Sequence, residues 1–183
     1  MNIVSSIIIL LTAYVAVFLE ARLGGVRDWL GAQIDLLPAL VVYASLTKGV
    51  ATLALLAVLG GLWFDSLSAN PTGVTVLPLF LIGLAIFRTR HLILREQTYA
   101  QFIIGMSACA AAPLGTLLLL LLLGETPLIG PGSLWQWLVM SVGGGALCPV
   151  VFRVFDRVHR AFDYQPLAET TFRPDREIKR GRS

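Results

Sequence analysis

The chain has 183 residues, 56% of them hydrophobic and 14% charged, with a net charge of +3 and a mean hydropathy of +0.79. A soluble domain carries about 25% charged residues, so this composition excludes a water-soluble enzyme and excludes disorder over residues 1–152. Alternating ten-residue strands of the barrel type do not occur, which leaves an all-α integral membrane protein.

A hydrocarbon core of about 30 Å needs roughly 20 apolar residues per helix. Runs of that kind predict six transmembrane helices, at residues 3–19, 31–47, 49–64, 72–87, 100–123 and 134–152. The first has no basic segment ahead of it and no small-x-small cleavage site after it, so an uncleaved helix is expected rather than a signal peptide. The second carries Gln33 and Asp35 near its start and Pro38 in its first turns, where a kink is expected. Asp35 sits at the outer end of that span, either hydrated at the interface or turned into a cavity. Lys48-Gly49 then divides one long apolar stretch, 36–64, into two helices. A lysine inside the hydrocarbon would cost about 2.5–3.5 kcal/mol, and a tight turn at the membrane edge avoids that cost.

The densest polar signal is Gly60-Gly61-Leu62-Trp63-Phe64-Asp65-Ser66-Leu67-Ser68-Ala69-Asn70-Pro71-Thr72-Gly73. Asp65, Ser68 and Asn70 can each accept from free backbone N–H groups in a turn or at a helix start. Pro71 suits the first turn of the next helix, and Gly73 allows another backbone or a ligand to come close. The segment reads either as a well-capped outer loop or as a partner- or ligand-binding loop. Further on, Gly105, Ser107, Ala108 and Ala110–Ala112 face the question of what Ser141, Gly143, Gly144, Gly145 and Ala146 pack against. Small residues let helices approach closely in lipid; intramolecular packing and a wall facing a partner helix both fit. Cys109 and Cys148 lie in apolar runs without a CxxC pair, so they read as small buried hydrophobes. No carboxylate pair, Ser/His/Asp set or metal-ligand cluster is visible, and no nucleic-acid motif; neither catalysis nor a cofactor is expected.

Past the sixth span, Phe152, Phe155 and Phe162 recur at helical spacing with Arg153, Arg157 and Arg160 on other faces. This predicts a cytoplasmic amphipathic helix with its rings in the acyl boundary, followed after Tyr164 by a polar, basic and disordered tail. The division is thus a transmembrane domain over 1–152 and a cytoplasmic segment over 153–183. Six spans place twelve of the fourteen Lys and Arg residues on one side and only Arg22 and Arg27 on the other. The positive-inside bias then predicts both termini in the cytoplasm. Trp29, Trp63, Trp135 and Trp137 fall near the outer interface in the same arrangement.

The order of these features resembles one family, the rod-shape-determining membrane protein MreD. The resemblance rests on the Asp35-Leu-Leu-Pro38 start of the second span, a Gly-x-x-x-Asp-x-x-Ser-x-x-x-x-Gly stretch on Gly61, Asp65, Ser68 and Gly73, and Pro149 ahead of the basic Arg153–Phe162 segment. It implies a six-helix fold similar to the substrate-binding subunits of vitamin (ECF-type) transporters. It also implies a non-enzymatic scaffold of the cell-wall elongation machinery in the inner membrane. Its implied partners are the single-span protein MreC and, in a larger assembly, RodA, the transpeptidase paired with it, and MreB, all among membrane lipid. Asp35, Pro38, Gly61, Asp65, Ser68, Asn70, Pro71 and Gly73 are the candidate binding residues. The competing expectation is a substrate-binding subunit of a small-molecule transporter, which needs a pocket with several convergent polar groups.

Overall fold

The computed structural model describes residues 3–22, 31–68, 71–92, 97–125 and 130–162. Over these the chain is all-helical, with six α-helices: α1 (Ile3–Arg22), α2 (Leu37–Thr47), α3 (Val50–Leu67), α4 (Val76–Thr89), α5 (Thr98–Leu122) and α6 (Pro131–Phe162). A short 3-10 turn, Arg90–Leu92, closes α4. Three stretches are long and apolar enough to cross a membrane: Val50–Leu67, Thr98–Leu122 and Pro131–Val158. The apolar stretches Ser6–Glu20, Leu37–Thr47 and Val76–Thr89 are shorter.

The two expected spans that shrink do so for local reasons. Residues 31–36 precede α2 without being helical, which reduces the second span to 11 residues, about 16 Å at 1.5 Å per residue. Pro38 therefore lies in the first turn of α2, as expected, where its missing N–H leaves no bond unmade. Pro71, expected in the first turn of its helix, instead precedes it: residues 72–75 are turns and α4 starts at Val76. The break at Lys48-Gly49 falls where charge and glycine together place it. The Lys48 amide closes α2 on Ala44 O at 2.8 Å, and Gly49 O opens α3 by accepting from Leu53 at 3.2 Å.

Neighbouring helices alternate in direction. Ser6 on α1 shares a 3.0 Å hydroxyl contact with Thr52 on α3, and Tyr14 stacks on Trp63 further along both helices. These two helices are therefore parallel, with α2 running between them in the opposite sense. Arg90 Nη1 donates to Lys48 O at 3.4 Å, which puts the C-terminal ends of α2 and α4 side by side. At the other end of α4, Gly115 of α5 lies against Pro78.

The core is centred on α2, whose residues 37–46 are all buried. Tyr43, 1% exposed, takes Phe155 in a stacked contact at 4.6 Å and Phe152 edge-on at 5.0 Å. The segment keeps two faces, but the expected place of the rings is corrected: Phe152 and Phe155 are in the protein interior and not in the acyl boundary, while Arg153 and Arg157 stay exposed. The side chain of Phe162 and the residues after it lie outside the described ones. Helices α5 and α6 pack through small residues. A Cβ on Gly105 would overlap Cys148, one on Gly144 would overlap Cys109, and one on Gly145 would meet Met106 Cβ at 2.8 Å. The glycine-rich face of α6 is thus spent on intramolecular packing. Both cysteines are free and buried. Pro113 interrupts the α5 ladder, and one turn before it Trp137 Nε1 donates to Ala110 O at 2.9 Å.

Candidate functional site

The motif residues Gly61, Asp65, Ser68 and Gly73 converge on one turn, and each has a separate physical reason to be there. Asp65, in the last turn of α3, is 1% exposed. One carboxylate oxygen accepts from the amides of Gly73 at 2.8 Å and Thr75 at 3.1 Å, and the other accepts from the Thr75 hydroxyl. Three donors from Gly73 and Thr75 satisfy both oxygens of a carboxylate that water does not reach. This requirement sets where α4 begins: Gly73 and Thr75 give their N–H groups to Asp65, so regular helix starts only at Val76.

Gly61 is the position of close approach. A Cβ there would stand 2.9 Å from Val76 Cγ2 and 3.0 Å from Val76 Cα, so any side chain would push α4 off α3. Gly73 acts differently from the expectation of close approach. Its φ is +95° and the nearest atom to a Cβ would be 4.0 Å away, so backbone conformation, not space, demands glycine. Ser68 donates its hydroxyl to Asp65 O at 3.2 Å, and its own amide closes α3 on Phe64 O and Asp65 O. Asn70 lies outside the described residues. Pro71 and Thr72 are exposed on the outside of the brace.

Asp35 and Pro38 belong to a second cluster at the same end of the bundle. Asp35 Oδ1 accepts from the Leu37 amide at 2.8 Å, an Asx turn that satisfies one of the free N–H groups of a helix start. The preceding amide, Leu36, donates to Glu20 Oε1 at 2.6 Å. Asp35 is 7% exposed, so it is not the hydrated interface residue that one reading allowed, and Pro38 beside it is buried. Ile34 covers Gly143 of α6. The two clusters are joined by Leu37, whose Cδ1 would lie 2.7 Å from a Cβ on Gly60.

Two residues of this arrangement escaped the sequence reading. Thr75 supplies two of the three donors to Asp65, and its only signal was a hydroxyl two residues after the motif's last glycine. Glu20 holds the start of α2 from the end of α1. An acidic residue terminating an apolar run was visible, but its partner amide lies 16 positions on. Chemically, the clusters hold helix ends together through carboxylates that accept from the backbone. Compared with known proteins, the chain matches no family model, no curated protein and no solved structure.

Proposed function

We propose that the chain is a non-enzymatic membrane scaffold of the MreD type: a multi-pass protein of the inner membrane that binds MreC and takes part in the cell-wall elongation assembly with RodA, its transpeptidase and MreB. The observation that carries this reading is the Asp65 brace. Its buried polar groups are satisfied within the chain, and what it presents outward is a fixed, exposed Pro71-Thr72 corner. A small-molecule site would keep convergent polar groups for its ligand; the Asp65 brace directs its own to the Gly73 and Thr75 amides and the Thr75 hydroxyl. The buried polar atoms at this end without a partner among the described residues, Glu20 Oε2 and Trp63 Nε1, belong to other residues. A rigid corner between two helix ends suits a protein partner that leaves the membrane beside it.

Charge placement supports the orientation. Helix alternation gathers the exposed Arg88 of α4, Arg90 of the 3-10 turn after it, the exposed Arg153 and Arg157 of α6, and Lys48 at the end opposite the Asp65 brace. The positive-inside bias makes that end cytoplasmic, with both termini beside it. The Pro71-Thr72 corner then faces outward, where the bulk of MreC lies. The small-residue face of α6 is already taken by α5, so the partner's helix meets the bundle elsewhere.

The experiment is a photo-crosslinking residue at Thr72 in native membranes, with one at Leu118, 60% exposed on α5, as the comparison. The scaffold reading expects capture at Thr72, and not at Leu118, of a single-span protein with an extracytoplasmic coiled coil. Capture of a transporter's coupling subunit would support the uptake reading instead.

A further inference from the structure

Between α1 and α3 lies an apolar groove of about 250 Å³, lined by Leu10, Ala13, Tyr14, Leu59, Gly60 and Trp63. One of the lining residues carries a stranded donor: the indole Nε1 of Trp63 is buried and has no acceptor among the described residues. A buried N–H without a partner costs about 1–3 kcal/mol, and none of the described residues relieves that cost. Trp63 stands four residues before the end of α3, about 6 Å from the helix terminus. With α3 crossing the bilayer, as the proposed function has it, the ring lies at the hydrocarbon–headgroup boundary, where amphipathic rings sit. Leu10, Ala13 and Leu59 lie deeper.

The size of the groove decides what fills it. Leu10–Tyr14 and Leu59–Trp63 are each about one helical turn, about 6 Å long. A partner helix packs at 8–10 Å between axes and along several turns, so this concavity is too short for one. It is also smaller than the roughly 300–1,000 Å³ of ordinary small-molecule pockets. The first few methylenes of an acyl chain, with an acceptor at their polar end, match the groove's length of about 6 Å and the stranded donor; the rest of the chain continues along the lipid-facing surface. We propose that the α1–α3 groove binds one acyl chain of a membrane glycerophospholipid, with the ester carbonyl accepting from Trp63 Nε1. Tyr14, 49% exposed with its ring 4.5 Å from that of Trp63, is the rim that shifts to admit it.

The test compares retained lipid on the full-length protein by native mass spectrometry, using a diester phosphatidylethanolamine and its diether analogue, which lacks the carbonyls. The wild-type chain is expected to hold one diester molecule about fivefold more tightly than the diether, the worth of one hydrogen bond. Trp63→Phe keeps a ring against Tyr14 and is expected to bring the ratio to one. Ala13→Leu, which fills the groove, is expected to abolish retention of both lipids. Equal retention of the two lipids by the unaltered protein would overturn the proposal without depending on any variant. So would a preference that survives Trp63→Phe, or a dimer of the chain that excludes the lipid and is lost in Ala13→Leu.

Discussion

The carboxylate of Asp65 reaches ten residues along the chain to Thr75, accepting its amide at 3.1 Å and its hydroxyl as well. This contact closes the turn between α3 and α4 and fixes the first residue of α4. It also accounts for the spacing of the motif, because Gly73 must turn through positive φ for its own amide to face the same carboxylate.

Replacement of Asp65 by Ala strands two backbone amides and a hydroxyl in a buried turn. A loss of about 3–5 kcal/mol is expected in unfolding of the protein in detergent micelles. Asp65→Asn keeps one acceptor oxygen but sets an NH₂ against donors, so it should fall between wild type and Asp65→Ala. Equal stability of Asp65→Ala and wild type would remove the brace as a structural element.

The glycines of the motif should fail for different reasons. Gly61→Ala meets the Val76 backbone at 3.0 Å, an overpacking worth about 1–3 kcal/mol. Gly73→Ala has open space but an unsuitable φ, at about 1–2 kcal/mol. Gly49, with nothing near a Cβ and ordinary φ, should tolerate Ala within about 0.5 kcal/mol. Thermal unfolding of the three variants side by side checks the order.

Tyr43 makes the end of α6 part of the core. Phe155→Ala is expected to cost about 3–5 kcal/mol in the same unfolding measurement. Its neighbour Val154, 48% exposed, should be nearly neutral to Ala. If Phe155 lay in the acyl boundary instead, the two substitutions would behave alike.

Why some of this was legible in the sequence and some was not follows from the range of each interaction. The break at Lys48-Gly49 is written locally, by a charge that the hydrocarbon rejects beside a residue that ends helices. Asp65, Gly61 and Gly73 form a pattern within thirteen residues, so their convergence could be read, though not which amides Asp65 would take. Pro71 was read as the opening of a helix because proline suits that position; the demand of Asp65 for Gly73 and Thr75 postpones the helix past it. Glu20 and Tyr43 depend on partners 16 and more than 100 positions away, which no local pattern discloses. Phe152 and Phe155 had the right period, but a period gives a face and not what the face meets.

Helix alternation makes a further prediction about sidedness. Cysteines introduced as Arg90→Cys and Arg153→Cys should react with a membrane-impermeant maleimide from one side of sealed vesicles, and Thr72→Cys from the other. The native Cys109 and Cys148 are buried and should stay silent. Labelling of Thr72→Cys from the same side as Arg90→Cys would contradict the orientation of α4.

The central claim, that the exposed corner beside the Asp65 brace receives a single-span partner, is tested most directly by co-purification of the full-length chain with MreC, comparing wild type with Thr72→Arg and measuring Tm on the same samples. Thr72 is exposed and takes no part in the brace, so the account predicts that the partner is lost while Tm stays unchanged. Retention of the partner by Thr72→Arg at the wild-type level would contradict it.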